Sequence, residues 1–233
     1  MTFVLTNDDG IDAPGIKALY QALQDYGVDH EANEVIVVAP QEHHSGCGHQ
    51  VTTSHPIQIH PRSQQEFAIG GTPADCTRVA LSHLCSEVDW VLSGINAGGN
   101  LGADTYISGT VAAVREAALH GIPGIAISHY RKGKRPIHWE TAARWTATVV
   151  NQLLRLPLDP GSFWNVNLPH LEPDDPDPEL VFCPLSTQPL PVNYRVEGDQ
   201  LIYVGDYAQR SREPGSDVDV CFSGQIAVTK IQL

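Results

Sequence analysis

Short, continuously apolar runs alternate with amphipathic segments over the first two thirds of this 233-residue chain. The runs Phe3–Thr6, Val35–Ala39 and Asp89–Leu92 are too short for helices and are typical of strands buried on both faces. Between the first two runs, Pro14–Tyr26 has apolar residues at helical spacing. Strands that alternate with helices predict an α/β fold, a mostly parallel sheet with helices on both faces.

The last third of the chain has a different pattern. An acidic, proline-rich stretch comes first and is typical of a loop. From Glu179 onward, extended segments predominate, with turn residues at Gly198-Asp199. We therefore predict an α/β core at residues 1–170. Residues 171–233 form a β-rich extension that completes the same domain and holds an arm for contact between subunits.

Charge, cysteines and hydropathy argue against several functions. The formal net charge of -13 repels the phosphates of long nucleic acids, so we expect no DNA or RNA partner. Five cysteines without a Cys-x-x-Cys pair suggest neither a disulfide framework nor a zinc knuckle, and reduced thiols favour a cytoplasmic enzyme. We find no signal peptide and no apolar stretch long enough to cross a bilayer, so we expect no membrane partner.

Polar residues follow several predicted strands at the edge where open parallel sheets bind ligands. Asp8 and Asp9 come directly after the first run. Adjacent carboxylates repel each other unless a cation is present, and oxygen donors suit Mg²⁺ or Mn²⁺. Asn96 and Ser45 could add neutral oxygens. Asn-Asp-Asp-Gly is also a common turn that caps a helix, so the string by itself has a structural explanation.

Two further segments could bind a phosphate group. The glycine- and asparagine-rich loop after the third run includes Gly98 and Asn100, and glycines allow the backbone to approach a ligand. Ser108, Gly109 and Thr110 precede a predicted helix, whose N-terminal N–H groups and dipole attract anions. A flexible surface loop and an ordinary Ser/Thr cap would explain the same residues.

The histidines, and the absence of several known motifs, limit the catalytic mechanisms that the sequence allows. His43, His44 and His49 match no familiar helical zinc motif, and we interpret them as loop histidines, one of which could reach a substrate phosphate. The chain has no Gly-x-Ser-x-Gly elbow and no P-loop. The first strand does not end in the D-x-D of aspartyl-phosphate phosphatases, and Asp217-Val218-Asp219, which has that spacing, lies in the predicted β-rich tail. A covalent serine or aspartate mechanism is therefore not indicated.

Long motifs, in the same order along nearly the whole chain, resemble the SurE (survival protein E) family. They are Leu5-Thr6-Asn7-Asp8-Asp9-Gly10, Ala13-Pro14-Gly15, Gly71-Thr72-Pro73-Ala74-Asp75-Cys76, Ser93-Gly94-Ile95-Asn96, Asn100-Leu101-Gly102, Ser108-Gly109-Thr110 and Asn165-Val166-Asn167-Leu168-Pro169. The resemblance implies a 5′/3′-nucleotidase with a Rossmann-like core and a C-terminal β arm that forms dimers or tetramers.

The resemblance also implies roles for individual residues. The ligands of one divalent metal ion per subunit, Mg or Mn, would be Asp8, Asp9, Ser45 and Asn96. The residues near the substrate and its phosphate would be Asn7, His44, Gly98, Asn100, Ser108, Gly109 and Thr110. Either Asp8 or Asp9 would accept a proton from the attacking water.

The sequence departs from the family pattern at three places. His44 stands where the family usually has Arg, and Ile107 where it often has Tyr. Thr229-Lys230-Ile231 replaces a closing Thr-Pro-Leu. These departures concern phosphate attraction, substrate preference and arm geometry rather than the reaction itself.

We expect hydrolysis of nucleoside 5′- and 3′-monophosphates by a metal-activated water, in a homodimer or homotetramer. Two alternatives stay open. A different metal hydrolase on the same fold would cleave a small amide and release no phosphate. A non-catalytic nucleotide-binding protein would bind nucleotide and metal without turnover, and His44 is the residue that keeps this alternative open.

Overall fold

The computed structural model describes residues 1–24, 33–172 and 174–233. The strands are β1 (Thr2–Thr6), β2 (Glu34–Pro40), β3 (Ile59–Pro61), β4 (Glu66–Ile69), β5 (Trp90–Asn96), β6 (Gly124–His129), β7 (Ser162–Leu168), β8 (Leu180–Phe182), β9 (Tyr194–Glu197), β10 (Gln200–Tyr203) and β11 (Ile226–Gln232). The α-helices are α1 (Pro14–Gln24), α2 (Pro73–Val79), α3 (Gly109–Leu119), α4 (Trp139–Leu153) and α5 (Asp217–Phe222).

Nine strands form one sheet in the order β3-β4-β2-β1-β5-β6-β7-β11-β8. Strands β2, β1, β5, β6 and β7 are all parallel, which confirms the predicted fold class. The chain runs from β1 outward to β2 and then crosses to β5 on the other side of β1. Strand order therefore reverses between β1 and β5, and such a reversal opens a crevice at the carboxyl ends of the two strands.

Helices cover both faces of the sheet, as predicted. On one face, α1 and α4 bury Leu19 and Leu153 against Phe3 and Leu5. On the other face, α2 and α3 pack on Val4. Residues 3 to 5 thus alternate between two cores, because successive side chains of a strand point to opposite faces. This two-sided burial explains why the strand runs are continuously apolar.

The C-terminal third differs in part from the prediction of extended segments. The last strand and the hairpin turn at Gly198-Asp199 are confirmed, since β9 and β10 pair antiparallel on either side of that turn. Asp217–Phe222, however, is a short helix rather than β-rich tail. Its first turn holds two carboxylates, which favour a helix start. The last two residues of the predicted helix Pro14–Tyr26 lie outside the described residues.

No helix within the described ranges has both the length and the apolar character required to cross a membrane.

A buried ion pair fastens the C-terminal third to the loop that follows β5. The Arg210 guanidinium donates to Asp104 Oδ2 at 2.7 Å and to the Leu101 carbonyl oxygen at 3.1 Å. The Tyr207 hydroxyl donates to the same Asp104 oxygen at 2.6 Å. The Arg210 side chain is only 1% exposed. We call Asp104, Tyr207 and Arg210 the clamp.

Asp217 adds a second fastening close to the clamp. Its carboxylate accepts hydrogen bonds from the backbone N–H of Gly102 at 2.7 Å and of Ser186 at 2.8 Å. Gly102 has a φ of +52°, a conformation that a residue with a Cβ adopts at a cost. The segment that leads from β5 into α3 is thus held by residues more than a hundred positions further along the chain.

Removing the charge of Arg210 should destabilise the protein strongly. Arg210→Met leaves the Asp104 carboxylate buried without its cation, which costs roughly 3–5 kcal/mol for a pair of this kind. Urea unfolding followed by circular dichroism measures the loss.

Arg195→Met is the matched control, because Arg195 pairs with Glu197 at 2.8 Å on the exposed hairpin. We expect it to change the free energy of unfolding by less than about 1 kcal/mol. Equal losses of unfolding free energy in the two variants would show that the clamp stabilises the protein no more than an exposed ion pair does.

Candidate functional site

Asp8 lies at the end of β1, almost completely out of water, with 4% of its surface exposed. The Thr110 hydroxyl donates to Asp8 Oδ1 at 2.6 Å, which joins the end of β1 to the first turn of α3. Gly109 makes this approach possible, because a Cβ there would lie 2.8 Å from the Cβ of Asp8. The start of α3 can therefore contact the carboxylate only with glycine at position 109.

Burial makes ionisation of Asp8 costly. The pKa of Asp8 is raised from 3.8 to about 6, mainly by burial; the hydrogen bond from Thr110 opposes this shift, and the neighbouring charge of Asp9 contributes to it. No Lys or Arg of the described chain pairs with this carboxylate. At neutral pH the site therefore holds negative charge that nothing in the described protein balances.

Asp9 reaches toward β5 and toward the loop after β2. Its Oδ2 accepts a hydrogen bond from the Ala97 backbone N–H at 3.1 Å, and its Oδ1 lies 3.4 Å from His43 Nδ1. The side chain is 16% exposed, so it is more accessible than that of Asp8. The two carboxylates therefore form a buried and an accessible half of one acidic site.

The loop after β2 contacts the site through hydrogen bonds of its backbone. The His44 N–H donates to the Asp8 carbonyl oxygen at 2.7 Å, and the Gly48 N–H donates to the Ile107 carbonyl oxygen at 3.0 Å. Ser45 follows His44 directly and is exposed, without a hydrogen bond from its side chain to another described residue. The structure thus brings this loop to the site but leaves the Ser45 hydroxyl free.

Asn96 ends β5 and is partly buried. Its Nδ2 donates to the Gly98 carbonyl oxygen at 2.7 Å, which orients the side-chain amide and leaves Oδ1 as the free end. Asn96 is the register partner of Ser128 on β6, so it lies at the carboxyl edge of the sheet. An oxygen donor at this edge is what the sequence predicted.

Asn100 and Asn7 are both buried and are held by hydrogen bonds to neighbouring loops and strands. Asn100 donates from Nδ2 to Ser128 Oγ at 2.8 Å and from its backbone N–H to Asn167 Oδ1 at 2.8 Å. Asn165 Nδ2 in turn donates to the Asn100 carbonyl oxygen at 2.9 Å. Asn7 donates to the Gly10 carbonyl oxygen at 2.8 Å, while its buried Oδ1 has no partner. Asn100 thus organises the glycine-rich loop, and Asn7 organises the turn.

The hydroxyls before α3 are already engaged within the protein. Ser108 Oγ caps the helix by accepting from the Val111 N–H at 3.0 Å, and the Thr110 hydroxyl is used by Asp8. Attraction of an anion at this end would therefore depend mainly on the helix dipole and the N-terminal backbone N–H groups.

The three loop histidines separate in the structure. His43 lies beside Asp9, and His44 is partly buried next to Asp8. His49 instead pairs with Glu116 of α3, Nε2 to Oε2 at 2.7 Å, and so anchors the loop to that helix. Nothing in the sequence pattern separates these histidines.

The residues present fit a hard divalent cation. The buried, uncompensated carboxylate of Asp8 and the accessible carboxylate of Asp9 would gain from one. Within the described ranges, no group of three or more His, Cys, Asp or Glu side chains is arranged to hold a metal. Two carboxylates with neutral oxygens and water suit Mg²⁺ or Mn²⁺ rather than zinc, which prefers nitrogen and sulfur.

Neither the clamp nor the Asp217 contact with Gly102 could be predicted from the sequence. Asp104 and Arg210 are 106 positions apart, and no local pattern links them. A buried Arg–Asp pair between distant segments can be recognised only from the folded structure, which brings the two side chains together.

Comparison with known proteins identifies the family of the chain. The model of the family "Survival protein SurE" matches residues 3–189. A relative from Nostoc sp. is 62% identical over 233 residues, and the match covers all of both chains. A protein named "5′-nucleotidase SurE" from Halorhodospira halophila is 36% identical, over 100% of this chain and 92% of the relative. The crystal structure of a SurE protein from Aquifex aeolicus superimposes with a TM-score of 0.85 at 31% identity, covering 100% of this chain and 93% of that one. The chain therefore belongs to the SurE family.

Proposed function

We propose that this SurE protein hydrolyses nucleoside 5′-monophosphates, and also 3′-monophosphates, to nucleoside and phosphate with the help of one divalent cation. Relatives named 5′-nucleotidase support the hydrolysis of nucleoside monophosphates. The observation that carries the metal dependence is the Asp8 carboxylate, buried beside Asp9 without a cationic side chain.

Mg²⁺ or Mn²⁺ would be held by Asp8 and Asp9, with Asn96 and Ser45 as neutral oxygen donors. A bound divalent ion lowers the pKa of a coordinated water and polarises a phosphoryl oxygen. The chain supplies the rest of the site. Asp9 is the more accessible carboxylate and can accept a proton from the attacking water.

The start of α3 orients the substrate phosphate. Its dipole would attract the developing negative charge, and Gly109 lets this helix end lie beside the Asp8 carboxylate. The other residues that we propose contact the substrate are Asn7, His44, Gly98 and Asn100, and of these His44 is partly buried next to Asp8. His44 could add positive charge only when protonated, so phosphate attraction here depends more on the backbone than it would with Arg.

The five cysteines support a reducing compartment, such as the cytoplasm. All five are free thiols. Burial raises the pKa of Cys76 and Cys221, so both stay protonated and unreactive at neutral pH.

Asp9→Asn should nearly abolish phosphate release. The reaction is followed with a panel of nucleoside 5′- and 3′-monophosphates in Mn²⁺, Mg²⁺ or EDTA. Losing one charged ligand removes several kcal/mol of transition-state stabilisation, so kcat/KM should fall by about 100-fold or more, and EDTA should stop turnover of the wild type.

Asp12→Asn is the matched control, since Asp12 is an exposed carboxylate three residues further on that pairs with Arg62. It should stay within about twofold of the wild type, as expected for a surface pair. Release that survives EDTA would refute the metal dependence. A folded protein that binds nucleotide but releases no phosphate would favour the non-catalytic alternative.

We also propose that the hairpin β9–β10 is an arm that contacts a second copy of the chain. One face carries Tyr194, Val196, Leu201 and Tyr203, which are 53%, 68%, 66% and 52% exposed. The pairs Tyr194–Tyr203 and Val196–Leu201 lie directly opposite each other on that face. An isolated two-stranded hairpin is marginal in water, so an apolar face of this kind favours a partner surface.

A double substitution Val196→Lys and Leu201→Lys should weaken the homo-oligomer. Sedimentation velocity over a concentration series should show an apparent Kd raised about tenfold or more, because two apolar contacts are lost and two like charges are added. Leu119→Lys, at another exposed apolar position, is the control. An unchanged mass distribution in the double variant would contradict the arm proposal.

A further inference from the structure

A basic loop follows β6 at the carboxyl edge of the sheet. Residues 131–135 read Arg-Lys-Gly-Lys-Arg and hold four of the 14 Lys and Arg residues of the chain. All five are exposed. In a protein with a formal net charge of -13, this is a local concentration of positive charge, and such a surface attracts anions.

A cavity of about 250 Å³ opens beside this loop. Tyr130 and Lys132 line it from the end of β6, His170 from the end of β7, and Arg212 and Phe222 from the region of α5. No Asp or Glu is among the described residues that line it. The lining shares no residue with the candidate metal and phosphate site.

The cations of the cavity are available to a ligand. In the described parts of the chain, neither Lys132 nor Arg212 forms an ion pair with a carboxylate. The nearby carboxylate of Glu172 is already paired with Arg135 at 3.0 Å. Burial lowers the pKa of His170, so its ring is neutral at pH 7 and adds no further charge.

Aromatic packing fixes one wall and one cation of the cavity. The Tyr130 and Phe222 rings stack with their centroids 4.4 Å apart and an angle of 23° between their planes. The Arg212 guanidinium carbon lies 4.7 Å from the centroid of the Phe222 ring. A cation held over a ring keeps its outward N–H groups free, and guanidinium groups bind phosphate with two parallel hydrogen bonds.

We propose that this cavity is a second binding site, for small molecules that carry a phosphate group. The phosphate lies between Lys132 and Arg212, and the rest of the ligand contacts the Tyr130 and Phe222 wall. Inorganic phosphate and a nucleoside monophosphate share the required group. The proposal stands on the lining residues alone and does not depend on the proposed function.

The test measures binding to the full-length, metal-free protein in EDTA by isothermal titration calorimetry. The probes are inorganic phosphate, adenosine monophosphate and, as the ligand without phosphate, adenosine. EDTA removes the divalent cation through which the candidate substrate site would hold a phosphate, so that binding at that site is reduced. Lys132→Met with Arg212→Met should weaken binding of both phosphate probes by about tenfold or more.

The control removes the same charge from the same loop. Arg131→Met with Lys134→Met takes away two cations that do not line the cavity, and should change the Kd by less than about threefold, as expected for screened surface charges. A nucleotide bound more tightly than inorganic phosphate identifies the nucleotide as the ligand, and equal affinity identifies the phosphate alone.

Three results would overturn the proposal: no saturable binding of either phosphate probe, equal weakening by the two double variants, or adenosine bound as tightly as its monophosphate. Lys132→Met alone is measured as well, in case the double variant misfolds. Lys132 is exposed, so this single substitution should leave the fold intact. It should weaken binding in the same direction.

Discussion

The Asp8 carboxylate, buried beside a second carboxylate, is the constraint on which the site depends. A charge taken out of water is costly unless a hydrogen bond or an opposite charge compensates for it. Thr110 supplies the hydrogen bond, and the described protein supplies no cation. The same contact fixes α3 against the end of β1, so the acidic site and the helix start that would face a phosphate are held by one interaction.

Four separate segments converge on this point because of the sheet topology. The ends of β1 and β5 are neighbours at the strand-order reversal, the loop after β2 reaches the Asp8 backbone, and the start of α3 closes the group. The C-terminal third then fastens the segment between β5 and α3 through Arg210 and Asp217. Residues that never touch the site therefore determine how rigidly its parts are held.

Local chemistry made the core predictable. The continuously apolar runs correctly predicted the parallel strands of the core. The acidic turn and the asparagine at the end of β5 were found because parallel strands end at one edge. The antiparallel pairing of β11 with β7, helix α5 and the Asp104–Arg210 pair were not predicted. They depend on contacts between distant segments, which short-range periodicity does not report.

The most direct test of the account is the free energy of unfolding against pH, with and without Mn²⁺, for the wild type and Asp8→Asn. The pKa of Asp8 is about 6 in the native protein and 3.8 in the unfolded chain, so the native state binds the proton more tightly. Relative to Asp8→Asn, the metal-free wild type should therefore lose about 3 kcal/mol as pH rises from 4 through 6. Mn²⁺ should restore stability above pH 6 in the wild type and far less in Asp8→Asn. Equal stabilisation of both proteins by Mn²⁺, or none of either, would contradict a cation site built on Asp8.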